Sequence, residues 1–366
     1  MTWVLAIGGI MLLVVLHELG HFLAAKATGM RVERFFLFFP PKLISVKRGE
    51  TEYGIGAIPA GGFVKISGMN PDEELPPEAK GRGYYDQPIW KRIVVIGAGP
   101  AMNLLIAFLL LFALAFSLEQ PTQFRVNEVS EDTPAAVRLK PGDEVLAIDD
   151  LKLQSVDPRD LGDELAAQLG SHPCPGGPSD GCRSTTPAAV TIERDGERKT
   201  LQIRPYYDDA EGQYRLGYSY RPGGYEPLNP SVPEAAAEAG DFMWLVTSET
   251  VSTFAQIFEA EEREKLGSIV GATKATSDAF DFGTAQALQL IAVISLSLAL
   301  INLFPFLPLD GGHIFWSLVE KVRGRRVPFA VMERAGVIGF CLVLFIFFIG
   351  LSNDIERFSN GSFGSP

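Results

Sequence analysis

The sequence predicts a polytopic α-helical membrane protein: four transmembrane helices, a membrane-associated β-hairpin or sheet loop on one side, and one α+β domain on the other. Three observations carry this. Of the 366 residues, 47% are hydrophobic, and they gather into four long apolar runs. The acidic excess sits in one stretch, residues 119–283, where 30 Asp and Glu against 15 Lys and Arg give −15 of a formal net charge of −12, leaving +3 elsewhere. Of the 17 Lys and Arg outside that stretch, 15 lie in two segments between the runs.

The runs are Trp3–Ala25, Ile93–Leu118, Ala285–Phe304 and Ala335–Leu351. Each is near the roughly 20 residues with which a helix crosses a ~30 Å hydrocarbon core. The first is expected to be a span rather than a cleaved signal peptide, because "MTW" gives no basic start. Residues 24–92 hold 11 Lys and Arg, and "GGHIFWSLVEKVRGRRVP" holds four. The positive-inside rule places both segments in the cytoplasm. Both termini, including a short tail at 352–366, and the acidic stretch are then outside.

Within the first cytoplasmic segment, residues 35–67 ("FFLFFPPKLISVKRGETEYGIGAIPAGGFVKIS") mix aromatic and β-branched residues with Gly and Pro, which reads as strands and turns. They are apolar enough to dip into the membrane against protein. Residues 70–88 read as a surface loop.

The acidic stretch opens with "FRVNEVSEDTPAAVRLKPGDEVLAIDDLKLQS" and runs on to "AAVTIERDGERKTLQIRPY". Alternating strands and a hairpin at "RDGER" predict a compact domain over 122–206. It resembles a bacterial PDZ domain at "LKPGDEVLAID" and departs from one at the inserted "GSHPCPGGPSDGCRSTTP". Such a domain binds extended peptides at a sheet edge; a steric role is the other reading.

Cys174 and Cys182 in that insert are either a disulfide or two free thiols, since two Cys and His172 lack the fourth ligand of a structural zinc site. Cys341 is expected to pack in the last span. Residues 207–284 read as a linker with an amphipathic helix carrying Phe242, Leu245, Val246, Phe254 and Phe258 on one side.

The first span contains "HELGH". On a helix His17 and His21 lie at i and i+4, so both imidazoles can reach one zinc ion, with Glu18 placed as a general base. The chain has only four histidines, and ionisable groups inside a membrane are costly and by default functional. A satisfied polar cluster or a transporter's ion relay would also use such residues. A third ligand at matching depth separates the readings. From Trp3 to His17 is about 21 Å of helix, which leaves the site on the order of 10 Å from the cytoplasmic edge. Asp310, the acid in "LALINLFPFLPLDGGHIF", enters after Pro305 and Pro308 at a comparable level. Two His and one carboxylate leave the fourth position for water, as catalytic zinc sites require.

"HELGH", "GIGAIPAGGFVKISG", "GAGPAMNLL" and "NLFPFLPLDGGH" together resemble the site-2 protease family of intramembrane zinc metalloproteases. The four-span layout with a PDZ-like domain between spans two and three is similar to the bacterial regulator-of-sigma-E protease branch, here with room for a single such domain. The resemblance implies that His17, His21 and Asp310 hold Zn2+ and that Glu18 takes the proton of the attacking water. It implies that Asn302 binds substrate backbone or the developing oxyanion, with a helix-to-helix hydrogen bond as the other reading, while Asn103 and His313 either orient ligands or satisfy backbone freed by nearby Pro and Gly. The stranded loop, above all Gly54, Gly56, Pro59, Gly61 and Gly62, offers a sheet edge for an unwound substrate.

The implied substrates are single-span proteins, such as anti-sigma factors already shortened outside, or remnant signal peptides. The PDZ-like domain would filter by size or bind a new C-terminus. The implied location is the bacterial inner membrane, with the active site near the cytoplasmic side. No nucleic-acid partner is expected. A catalytically silent PDZ-bearing scaffold and an ion or metal transporter are the alternatives.

Overall fold

The computed structural model describes the chain apart from residues 71–72, 132, 157–160, 258, 260–262, 264–265 and 361–366, and apart from the side chains of 59–60, 120–122 and 222. The chain forms two compact units, Met1–Ala115 with Pro230–Pro366, and Phe116–Asn229.

In the first unit, four helices among the described residues are long and apolar enough to cross a membrane: α1 (Thr2–Ala27), α2 (Ile89–Ala115), α6 (Thr284–Asn302) and α8 (Phe329–Ser359). Their limits differ from the apolar runs for local reasons. α2 starts early because Pro88 opens it, with the Lys91 and Arg92 N–H groups donating to the Pro88 carbonyl. α6 stops at Asn302 because Pro305 and Pro308 disfavour helix in the residues before them. α8 runs on through residues expected as a tail, because their polar side chains find partners. Asp354 accepts hydrogen bonds from Ser268 and from the Gly271 N–H, and Asn353 donates to the carbonyls of Arg263 and Leu266.

Small residues set the helix crossings. A Cβ at Gly20 would overlap the Ala98 carbonyl, so α1 and α2 meet backbone to backbone there. The Ser295 hydroxyl of α6 donates to the Asn103 carbonyl of α2 at 2.9 Å. Helix α7 (Asp310–Arg323) is tied to α2 by a two-pronged ion pair, with Arg92 Nη1 and Nη2 each 2.9 Å from Glu320.

Among its described residues, the stretch expected as a linker holds the helices α4 (Val232–Ala255) and α5 (Ile269–Phe282). The expected apolar stripe on α4 is shifted. Phe242 and Met243, with Ala239, pack against Leu111 of α2 and Ala292 of α6, while Leu245 is exposed. Phe254 packs on Phe304, and Phe258 lies outside the described residues. Cys341 is exposed on α8 rather than packed, because α8 buries only Met332, Gly339, Gly350 and Asp354.

Between α1 and α2 the chain forms β1 (Val32–Arg48) and β2 (Thr51–Ile66). Each is long enough to fold over the other. Residues 32–37 pair with 62–66 on one side and 52–55 on the other, and 42–48 pair beyond 51–56. The free edges are therefore 62–66 and 42–48. Leu43, Ile44 and Val46 stand exposed on the outer one.

The second unit is an antiparallel six-stranded sheet with helix α3 (Leu161–Gly170). Strands β3 (Glu119–Val129), β4 (Glu144–Ile148), β6 (Ala188–Arg194), β7 (Glu197–Ile203) and β10 (Tyr218–Pro227) run in the order β10-β3-β4-β6-β7, with β5 (Leu151–Lys152) beside β4. A separate hairpin joins β8 (Tyr206–Asp208) to β9 (Gln213–Arg215). Phe124, Val126, Ile148, Leu161, Val190 and Ile192 form the core. Asp195 and Gly196, both at positive φ, turn β6 into β7 as "RDGER" suggests. The unit is longer than the 122–206 read from sequence, because β10 pairs with β3 over its whole length despite its Pro and Gly. Cys174 and Cys182 form a disulfide, with a Cα–Cα distance of 6.2 Å.

Candidate metal centre

Helix α1 sets His17 and His21 one turn apart on its buried face. Their Nε2 atoms lie 3.2 Å from each other, and Asp310 Oδ2 lies 3.1 Å from the first and 3.2 Å from the second. Asp310 reaches them because it opens α7 directly after the Pro305–Pro308 break. Gly311 and Gly312 let that turn close, since a Cβ on either would overlap the backbone between Leu303 and Leu307.

Each imidazole is held from behind by α2. His21 Nδ1 donates to the Val95 carbonyl at 2.9 Å, which turns its Nε2 lone pair toward Asp310. His17 Nδ1 lies 3.4 Å from the side-chain nitrogen of Asn103, which is fully buried. Asn103 Oδ1 is buried without a partner among the described residues, and exchanging the amide's two ends lets it accept from His17 Nδ1. Gly99 supplies the space, since a Cβ there would overlap both rings.

Three donors at these spacings suit one metal ion. A tetrahedral site with metal–ligand distances of roughly 2.0 Å separates its donors by roughly 3.3 Å. Asp310 Oδ2 is buried and makes no hydrogen bond among the described residues, which fits an atom whose partner is a cation. The trio opens on a cavity of about 300 Å³, also lined by Glu18, Asn302 and His313, with Phe39, Phe63 and Ile96 among its apolar walls. Glu18 abuts edge strand 62–66: a Cβ at Gly62 would stand 3.3 Å from Glu18 Cγ, and the Val64 N–H faces the Glu18 carboxylate.

The description Peptidase family M50 belongs to the family whose sequence model matches residues 5–346 of this chain. The chain belongs to that family. It is 32% identical to the zinc metalloprotease Rip1 of Mycobacterium bovis over 365 residues, covering 86% of this chain and 84% of that one. The protein of the same name from Mycobacterium tuberculosis is 33% identical, with 86% and 84% covered. That of Mycolicibacterium smegmatis is 31% identical, with 90% and 88% covered.

In this M50 chain the sequence-named residues separate into two groups. His17, His21 and Asp310 converge, Asn103 touches His17, and Glu18, Asn302, His313 and Gly62 line the cavity. Asn302 donates to Leu298 at 3.0 Å, within its own helix. Gly54 and Gly56 are not on the free edge. Residues 52–55 have strands on both sides, and Cβ atoms at the two glycines would overlap Phe36 and the Phe38–Phe39 backbone. Gly61, at φ +130°, packs by Phe39 and Val14, and the side chain of Pro59 lies outside the described residues.

Sequence reasoning missed Gly99, the Val95 carbonyl and the Arg92–Glu320 pair. Only Gly99 left a trace, as the glycine before Pro100 in "GAGPAMN".

Proposed function

We propose that this chain is an intramembrane zinc metallopeptidase that hydrolyses peptide bonds in or near the transmembrane segment of single-span membrane proteins. The observation that carries the reading is the cluster of His17, His21 and Asp310 at mutual distances of 3.1–3.2 Å, beside Glu18, between helices long enough to span. A scaffold has no use for such a cluster.

In this reading His17, His21 and Asp310 hold the zinc. When bound, zinc lowers the pKa of a coordinated water toward ~7 and polarises the scissile carbonyl. Glu18 accepts the proton of the attacking water and delivers it to the leaving amine. Val95 and Asn103 fix the imidazole orientations. Asn302 faces the substrate from the far wall. Edge strand 62–66 takes an unwound substrate segment as an added strand, which supplies the backbone partners that the segment loses by leaving its helix.

The basic segments at 24–92 and 311–328 support a site near the cytoplasmic face of the bacterial inner membrane, with both termini outside. The Phe116–Asn229 unit then stands outside as a PDZ-like module that admits substrates already shortened there. A groove of about 170 Å³ along α3, lined by Leu165, Ala166, Tyr214 and Arg215, supports binding of a peptide end.

The test is cleavage of a truncated single-span reporter in liposomes by wild type and Glu18→Gln, with bound zinc measured in both. Cleavage by wild type alone, with about one zinc per chain in each, is expected. Wild type without zinc would overturn the reading. Zinc without cleavage of any reporter would favour the scaffold.

A further inference from the structure

A second cavity, of about 740 Å³, opens where α2 begins and α7 ends, and no residue of the metal cluster lines it. Its walls include Tyr85, Trp90, Arg92, Glu320, Lys321 and Arg326. The balance of charge there is positive. Arg92 is 2% exposed and neutralises Glu320 with its two terminal nitrogens, while its Nε is buried with no hydrogen-bond partner among the described residues. Arg326 is pinned at the rim by its bond to the Tyr85 carbonyl at 2.7 Å. Lys321 is exposed and makes no ion pair among the described residues. The other acid on the wall, Asp86, accepts the Gly81 N–H. The first turn of the 27-residue α2 also faces this space, and unbonded N–H groups at a helix start favour an anion.

We propose that this cavity binds the phosphate-bearing headgroup of an anionic phospholipid, with Lys321 and Arg326 on the phosphate and Arg92 Nε behind them. Free phosphate has the same charge chemistry. The lipid is favoured because Ile89 and Ile93 wall the cavity and Trp90 is 60% exposed at the start of a helix long enough to span, where aromatic side chains anchor at the interface. Basic pockets between spanning helices are suited to such headgroups. A headgroup there ties α2 to α7, the helix that presents Asp310 at its other end. The inference rests on Ile89–Ala115 crossing the membrane and not on peptidase activity.

The test is native mass spectrometry of the full chain, delipidated in neutral detergent and titrated with short-chain phosphatidylglycerol or phosphatidylcholine. One phosphatidylglycerol should bind at least fivefold more tightly than phosphatidylcholine, and Lys321→Gln should weaken it about fivefold, as expected for one basic side chain at a lipid surface. Lys321→Gln breaks no ion pair or side-chain hydrogen bond among the described residues, so the outcome does not depend on refolding; Arg326→Gln should add a further loss. Substituting Arg198 and Lys199, exposed in the other unit, should change nothing. Equal binding of the two lipids, or an unchanged preference in Lys321→Gln, overturns the proposal. Displacement by inorganic phosphate at the lipid's own concentration would assign the site to free phosphate and overturn the lipid.

Discussion

His21 on α1 donates from Nδ1 to the Val95 carbonyl of α2 at 2.9 Å, so one helix holds the metal-ligand candidate and the next fixes its ring. The contact exists only because the two helices touch at Gly20, the residue before His21, and Ala98, one turn after Val95. The geometry of the cluster is thus a property of the α1–α2 crossing, not of the HELGH segment alone.

Gly99→Ala tests that dependence. A methyl group there overlaps both imidazoles, so either the rings leave their positions or the helices separate. Bound zinc should fall at least tenfold, with cleavage falling in parallel, while Gly8→Ala, which has open space around it, should leave both unchanged. Full zinc occupancy in Gly99→Ala would show that the rings and the α1–α2 crossing can yield to a methyl group without losing the metal.

Asn103 should matter through what it accepts. Asn103→Leu leaves His17 Nδ1 without a partner and should cost about 10–100-fold in zinc affinity. Asn103→Asp keeps an acceptor and should cost less. Equal losses in a zinc competition assay would mean that Asn103 acts by filling its buried site and not as an acceptor.

Much of this was legible in the sequence, and the reason is period. Span lengths, the i, i+4 histidines and the turn at Asp195–Gly196 are local patterns, and local geometry decides them. The convergence of Asp310 on the histidines could be read because few polar residues compete inside apolar runs. What could not be read was pairing. Gly54 and Gly62 sit in equally strand-like surroundings, yet the doubled-over ribbons put one in the sheet interior and the other at the edge. Likewise "SNDIERFS" reads as a tail until Asp354 meets Ser268, 86 residues away. Pro and Gly in β10 suggest loop, although partnership with β3 overrides them.

The Arg92–Glu320 pair should be costly to break and cheap to replace. Glu320→Gln leaves a guanidinium that is 2% exposed without its counter-charge, and stability should fall by about 3–5 kcal/mol. Arg92→Met with Glu320→Leu should recover most of that. Thermal melts in detergent would decide it; if the double variant melts as low as Glu320→Gln, the pair is held by more than its own charge.

Asp143 gives the second unit a dependence on acid. Burial pushes its carboxyl up, but the Arg194 fork, 2.6 Å from each oxygen, and the Lys140 N–H outweigh that and hold it below the usual carboxylate range. A depressed native pKa stabilises above the unfolded value of about 3.9 and loses that contribution as pH falls through the native value. The melting difference between wild type and Asp143→Asn should be full at pH 6 and shrink below about pH 4. A difference constant across that range would remove the carboxylate's charge from the explanation.

The edge strand can be tested by taking away one N–H. Phe35 pairs with Val64 on the inner side of the strand, while the Val64 N–H turns outward to the Glu18 carboxylate. Proline is tolerated at an edge position whose N–H faces away from the ladder, so Val64→Pro should fold and keep its zinc. It cannot donate to Glu18 or to an added strand, and kcat/KM on a single-span reporter should fall at least tenfold. Proline at Ile44, on the opposite free edge, removes nothing near the cavity and should leave cleavage close to wild type. If both variants cut equally well, the substrate does not pair with residues 62–66, and the hairpin serves only to wall the site.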